Sequence, residues 1–159
     1  MTRTAAICLT LWLLSSTAFA QDWDYQESRN AINGQLGYAA IQGFKYTTHD
    51  GRTGAAIILM MCDCDLLRVG IVASDVFKTG KLPVTFRVGQ TPPIETTMLA
   101  EKATDGTSFS TNSASVFDNL KLLLSKGGVL HISIDNDVTI EFRTGDSQAV
   151  TKVAAKCGH

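Results

Sequence analysis

The sequence predicts a β-rich fold, all-β to α+β: an antiparallel β-sandwich or flattened barrel with two helices, the C-terminal one packed on the sheet. Three observations carry this expectation. Apolar and polar residues alternate over Leu130 to Ile134 and Val138 to Phe142, on either side of Asp135-Asn136-Asp137, a turn-forming triplet. Two apolar runs, Ala55 to Cys62 and Leu66 to Ala73, flank Asp63-Cys64-Asp65, and short apolar runs between turn signals read as paired strands. Helical spacing is confined to two stretches near the end of the chain.

The chain has 159 residues, 45% hydrophobic and 18% charged, with 13 Gly and 3 Pro, a composition that supports one buried core rather than a disordered or collagenous chain. Residues 1–20 read as a cleaved export signal. Arg3 gives the positive start, Ala5 to Leu14 the apolar run, and Ala18-Phe19-Ala20 the small-x-small pattern cut between Ala20 and Gln21. The apolar run is well short of the ~20 residues a membrane-spanning helix needs. Cys8 leaves with the leader, and residues 21–159 form a single domain. Of the 14 basic residues Arg3 is also lost, so 13 face 15 acidic ones. That slightly negative balance attracts neither nucleic acid nor an anionic membrane, and no integral membrane segment is expected after the signal is removed.

Along the mature chain, Asp22 to Tyr25 and Gly37 to Tyr46 are the first strand candidates. In the next hairpin, setting Cys62 opposite Leu66 across a three-residue turn places Ile57, Leu59 and Met61 with Leu67, Val69 and Ile71 on one apolar face. The opposite face, with Ile58, Met60 and Cys62, is too apolar for water and calls for a cover. Val84 to Val88 and Ile94 to Ala100 are further strands, punctuated by Pro83, Thr91-Pro92-Pro93 and Asp105-Gly106. Gly106 to Ser113 reads as a polar loop. A helix over Ser115 to Lys126 has Ser115 as its cap, an apolar stripe of Val116, Phe117, Leu120, Leu123 and Leu124, and Gly127 at its end. In the last hairpin Ile134 meets Val138, Ile132 meets Ile140 and Leu130 meets Phe142 on the core side, with His131 opposite Glu141 outside. A second helix, Ser147 to Lys156, carries Cys157 on its packing stripe. The expected core includes Ile57, Leu59, Val69, Ile71, Leu120, Ile132, Ile140 and Phe142.

Mature Cys62, Cys64 and Cys157 in an oxidising compartment suggest one disulfide and one thiol. A terminal helix laid over the uncovered face of the Cys62 hairpin brings Cys157 to Cys62, with Cys64 as the competing partner. Cys62-Asp63-Cys64 beside Met60 and Met61 has the donor chemistry of a soft-metal site. The two methionines point to opposite faces and Cys64 falls in the turn, which favours core sulfur and a disulfide, so no metal or cofactor is expected.

Chemistry is otherwise sparse. Lys78-Thr79-Gly80 matches one element of penicillin-recognising serine enzymes, but Ser-x-x-Lys and Ser-Asp-Asn are missing from the mature chain. His49, His131 and His159 have no nucleophile assigned to them, and the acid pairs Asp22 with Asp24 and Asp135 with Asp137 sit in a terminus or a turn. No catalytic residue is nominated.

Trp23, the strand ending in Cys62, Leu-Arg-Val-Gly-Ile-Val at 67–72, Val-Thr-Phe-Arg-Val at 84–88 before Pro92-Pro93, the Phe117-Asn119-Leu120 helix and Ala-Ala-Lys-Cys-Gly at 154–158 form a pattern. It resembles the VasI-like periplasmic accessory proteins associated with type VI secretion, with His159 where that family carries Trp. A looser similarity to the invasion-associated locus B family points to the same secreted β-sandwich class. The resemblance implies a disulfide-bonded β-rich domain, a periplasmic or secreted address and a role by contact without catalysis. The expected partner is an envelope or secretion-system protein, or a cell-wall component. The rival expectations are a small secreted inhibitor or immunity protein, which would use the Gly106 to Ser113 loop, and a cell-wall-acting enzyme.

Overall fold

The computed structural model describes residues 22–29, 34–47, 50–63, 65–75, 77–136 and 138–158, with Phe142 as backbone alone. Ala20 and Gln21 with the leader before them, His49, Cys64, Asp137, His159 and the Phe142 side chain lie outside the described residues.

The described elements are β1 (Asp24–Arg29), β2 (Leu36–Thr47), β3 (Thr53–Asp63), β4 (Leu66–Ala73), β5 (Gly80–Val88), β6 (Ile94–Ala103), β7 (Gly106–Thr111), α1 (Ala114–Ser125), β8 (Gly128–Ile134), β9 (Val138–Thr144) and α2 (Gln148–Lys156). The strands form one sheet in the order β1-β2-β3-β4-β7-β6-β5-β8-β9, antiparallel throughout. The sheet bends far enough for β9 to come alongside β2, where Gln42 Nε2 donates to the Arg143 carbonyl at 3.3 Å, yet no ladder joins the two strands and the barrel stays open. β1 pairs only with Leu36 to Ile41, so the rest of β2 is the part left to face β9.

The β8–β9 hairpin has the expected register: Ile134 opposite Val138, Ile132 opposite Ile140, and His131 opposite Glu141. Asp135 and Asn136 take φ of 50° and 56° in its turn, a region that Asp and Asn tolerate better than most residues.

The β3–β4 register differs from expectation by one residue. Asp63 closes the turn opposite Leu66, so Cys62 meets Leu67, Met60 meets Val69 and Ile58 meets Ile71. Asp65, at φ 63°, supports a two-residue turn, whose twist suits antiparallel strands better than the three-residue turn expected. A one-residue slip exchanges the faces of a strand. Ile58, Met60 and Cys62 are therefore the core residues of β3, whereas Ile57 is exposed and Leu59 only half-buried. Val69, Ile71, Leu120, Ile132 and Ile140 are buried as expected.

The segment expected as a loop from Gly106 is mostly strand. β7 lies in the middle of the sheet between β4 and β6, with Thr107 and Phe109 buried. Serine and threonine at 107, 108, 110 and 111 lower its hydropathy to that of a loop, but hydrogen-bonding neighbours on both sides make it a strand. The inhibitor reading thereby loses the loop it relied on. Pro83 sits within β5, one residue before the ladder with β8 begins at Val84, where its missing N–H interrupts little.

α1 carries the chain from β7 to β8 and packs on β4, β5 and β6 through Val116, Phe117, Leu120, Leu123 and Leu124. Its cap is Ser113, whose side chain accepts from the Val116 N–H, rather than Ser115; Ser115 instead shares a hydroxyl contact with Ser113 at 2.9 Å. α2 packs on β1, β2 and β3 through Val150, Val153 and Ala154, with Ser147 preceding its first turn. Lys152 Nζ lies 3.7 Å from the centre of the Tyr25 ring, tying the helix to β1 as well. Cys157, just past α2, is bonded to Cys62 with Cα atoms 5.8 Å apart. Among the described residues no helix is long and apolar enough to cross a membrane.

Candidate interaction surface

The residues singled out for chemistry are dispersed. His131 Nδ1 is 2.9 Å from Glu141 Oε1 on the outer face, in a row that continues to Arg87 on β5. Asp22 accepts from the Asp146 N–H, between β9 and α2, and Asp24 accepts from Gln26 on β1. Lys78 lies 3.8 Å from Asp135, with its side chain in solvent. Met60 points into the core and Met61 out of it, as their alternation requires. Among the described residues no three His, Cys, Asp or Glu side chains gather as a metal-binding group.

What the sheet does assemble is an apolar outer face. The register that buries Ile58, Met60 and Cys62 turns the other half of β3 outward, so the ladder with β4 reads Ile57–Val72, Leu59–Gly70, Met61–Arg68. Ile41 on β2 continues the Leu59 row, and Gly43 continues the Ile57 row. Ile57 is 41% exposed and Val72 38%, while Ile41, Leu59 and Met61 are half-buried among themselves. Across β5, β8 and β9 the outer rows are polar: Arg87, His131 and Glu141, then Thr85, Ser133 and Thr139. One side of the barrel is therefore apolar and the opposite side wet. Single exposed apolar residues are ordinary on a protein surface, but a contiguous group marks a contact surface. In the sequence both faces of the Ala55 to Cys62 run are apolar, and the face with Ile58, Met60 and Cys62 is the one expected to be covered. The structure covers that face with α2 and leaves the other open.

A second feature lies where the sheet fails to close. Lys45, Tyr46, Thr47, Thr53, Thr139 and Glu141 line a groove of about 610 Å³ between β2 and β9. Its wall is held by Tyr46, whose ring lies over Gly54, its register partner; a β-carbon there would come within 2.8 Å of the ring's Cε1. The Tyr46 hydroxyl donates to Asp75 Oδ2 at 2.9 Å and accepts from the Asp75 N–H at 3.2 Å, and Arg52 approaches the same carboxylate at 3.7 Å. Burial first, and the bond to Asp75 second, hold the Tyr46 phenol above its ordinary value of 10.0.

The folded chain therefore keeps this proton to higher pH than the unfolded chain does. The associated stability is complete below about pH 10 and is lost as the pH rises through the raised value. Tyr46→Phe is expected to lower stability by about 1 kcal/mol at neutral pH through loss of the hydroxyl bonds, and to flatten the alkaline decline. Urea midpoints of both proteins across the alkaline range check this; parallel declines would remove Tyr46 as a source of the pH dependence.

No family model, curated protein or solved structure matches this chain.

Proposed function

We propose that this chain is an exported periplasmic module that works by contact rather than catalysis, docking an envelope or secretion-system protein onto the outer face of β2, β3 and β4. The observation that carries the reading is the Ile57–Val72 pair, solvent-exposed beside Ile41, Leu59 and Met61 on a sheet whose opposite face already holds the core. Water contact with such a group is unfavourable at roughly 25 cal/mol per Å² of apolar surface, and a docked partner relieves it. The Cys62–Cys157 disulfide supports the exported address, since such bonds persist in oxidising compartments. An accessory role in an envelope secretion assembly fits both points.

Site-specific photocrosslinking in intact cells tests the reading. A benzophenone side chain at position 57 is expected to give a discrete adduct with one envelope protein, whereas the same group at Thr139, on the polar side, gives none. Adducts at position 139 alone, or at neither position, would move the contact elsewhere or remove it. Fractionation of the same cells tests the address, with the oxidised chain expected in the periplasmic fraction.

A further inference from the structure

The geometry points to the chemistry of that partner: a polypeptide segment that presents a carboxylate among apolar side chains, with Arg68 as the residue that pairs with it. This rests on the contact reading above and adds the partner's character. Arg68 stands opposite Met61 on the outer ladder, one alternation from Gly70, which Leu59 faces. Its Nε is enclosed by protein and meets no hydrogen-bond acceptor, and the guanidinium makes no ion pair among the described residues. Arg52 pairs with Asp50 and Asp75, Lys121 with Asp118, and Arg29 with the Gly34 carbonyl, and what distinguishes Arg68 from the remaining basic residues is that its Nε is enclosed as well as without an acceptor.

A guanidinium drawn against apolar neighbours loses hydration that a planar carboxylate restores through paired hydrogen bonds. Met61 faces it across the ladder, with Leu59 and Asp63 at the two diagonal positions, so the complementary surface sets its anion on the Met61 and Leu59 side of the guanidinium, beside apolar groups. A free inorganic anion would match the charge alone. A second copy of this chain is a poorer match. Of the carboxylates on this face, Asp24 lies on β1 and Glu101 on β6, outside the β3–β4 ladder, and Asp63 already has an interaction of its own. Two copies meeting through β3 and β4 would set one Arg68 toward the other, with the exposed Asp65 confined to the turn at the end of the ladder.

The test uses the oxidised full chain and three soluble peptides of about ten residues, each with leucine at alternate positions and a central residue on the leucine side that is Glu, Gln or Lys. Affinity is measured by fluorescence anisotropy and the contact is mapped by amide shifts in NMR spectra. The Glu peptide is expected to bind about tenfold more tightly than the Lys peptide, with added salt narrowing the gap, and to shift the amides of Ile57, Leu59 and Val72. Arg68→Gln should abolish the preference while leaving the common apolar affinity, and Arg68→Lys should keep part of it. An unchanged urea midpoint establishes that these variants are folded.

Equal affinity for the three peptides, a preference that survives Arg68→Gln, or shifts on the polar side would each overturn the assignment. Equal binding at the outer ladder leaves the contact reading intact. Absence of binding overturns the acidic-segment assignment, and absence of the position 57 adduct as well takes the contact reading with it. Self-association through this face, detected by sedimentation and insensitive to the Glu peptide, would replace the acidic segment with a second copy.

Discussion

Replacing both Cys62 and Cys157 with serine is expected to lower the stability of the oxidised domain by about 4 to 5 kcal/mol, much of what a domain of this size possesses. The two residues are 95 apart in sequence, so the bond forbids the unfolded chain nearly all the conformations in which strand and C-terminus are distant. It also fastens α2, only nine residues long, onto the face that contains Ile58, Met60 and Val69. A helix of that length is marginal in isolation and depends on its docking. Urea unfolding of the double variant, without reductant, measures the loss. Amide exchange in α2 should accelerate more than in β8, which is remote from the bond. A double variant with the parent's midpoint would show that the bond only decorates a sheet stable without it.

Gly106→Ala should be nearly as damaging, by at least about 3 kcal/mol, for a reason confined to one backbone position. Gly106 opens β7 at φ 149°, and a β-carbon there would overlap the Ala73 carbonyl oxygen and come within 2.9 Å of the Ala73 carbonyl carbon. Both obstacles are backbone. Relief requires β7 to move away from β4, breaking the ladder from Ala73–Thr107 to Val69–Thr111 at the centre of the sheet. Gly80→Ala is the control: φ there is 111°, but nothing lies within 4 Å of the added carbon. Its cost should be that of backbone strain alone, about 1 kcal/mol. Thermal or urea midpoints of the two variants should separate clearly, and equal losses would mean that the close approach to Ala73 relaxes at little cost.

These two variants probe opposite kinds of legibility. The cysteine pair could be anticipated because a strand end and a helix stripe each fix where a thiol points. The requirement at Gly106 could not, because Ala73 is distant in sequence and meets it only once β4 and β7 are neighbours.

The same division runs through the fold and the surface. Strict alternation from Leu130 to Ile134 and from Val138 to Phe142 determines by itself which residues face inward, because a slip of one residue would bury His131 and Glu141. Both helices are likewise determined by their apolar stripes, to within a residue or two at each start. From Ala55 to Cys62 every side chain is apolar, so neither register is penalised by burial and the run contains no information about its own faces. The turn at Asp65 selected the register, and α2, anchored at Cys62, completed the choice by covering one side. β7 is a strand only because β4 and β6 supply hydrogen-bond partners to residues too polar to be recognised alone. The exposed Ile57–Val72 pair and the place of Arg68 beside it follow from that register, and only the tertiary structure decided them, since burial is a property of what packs on a face and not of the residues that form it.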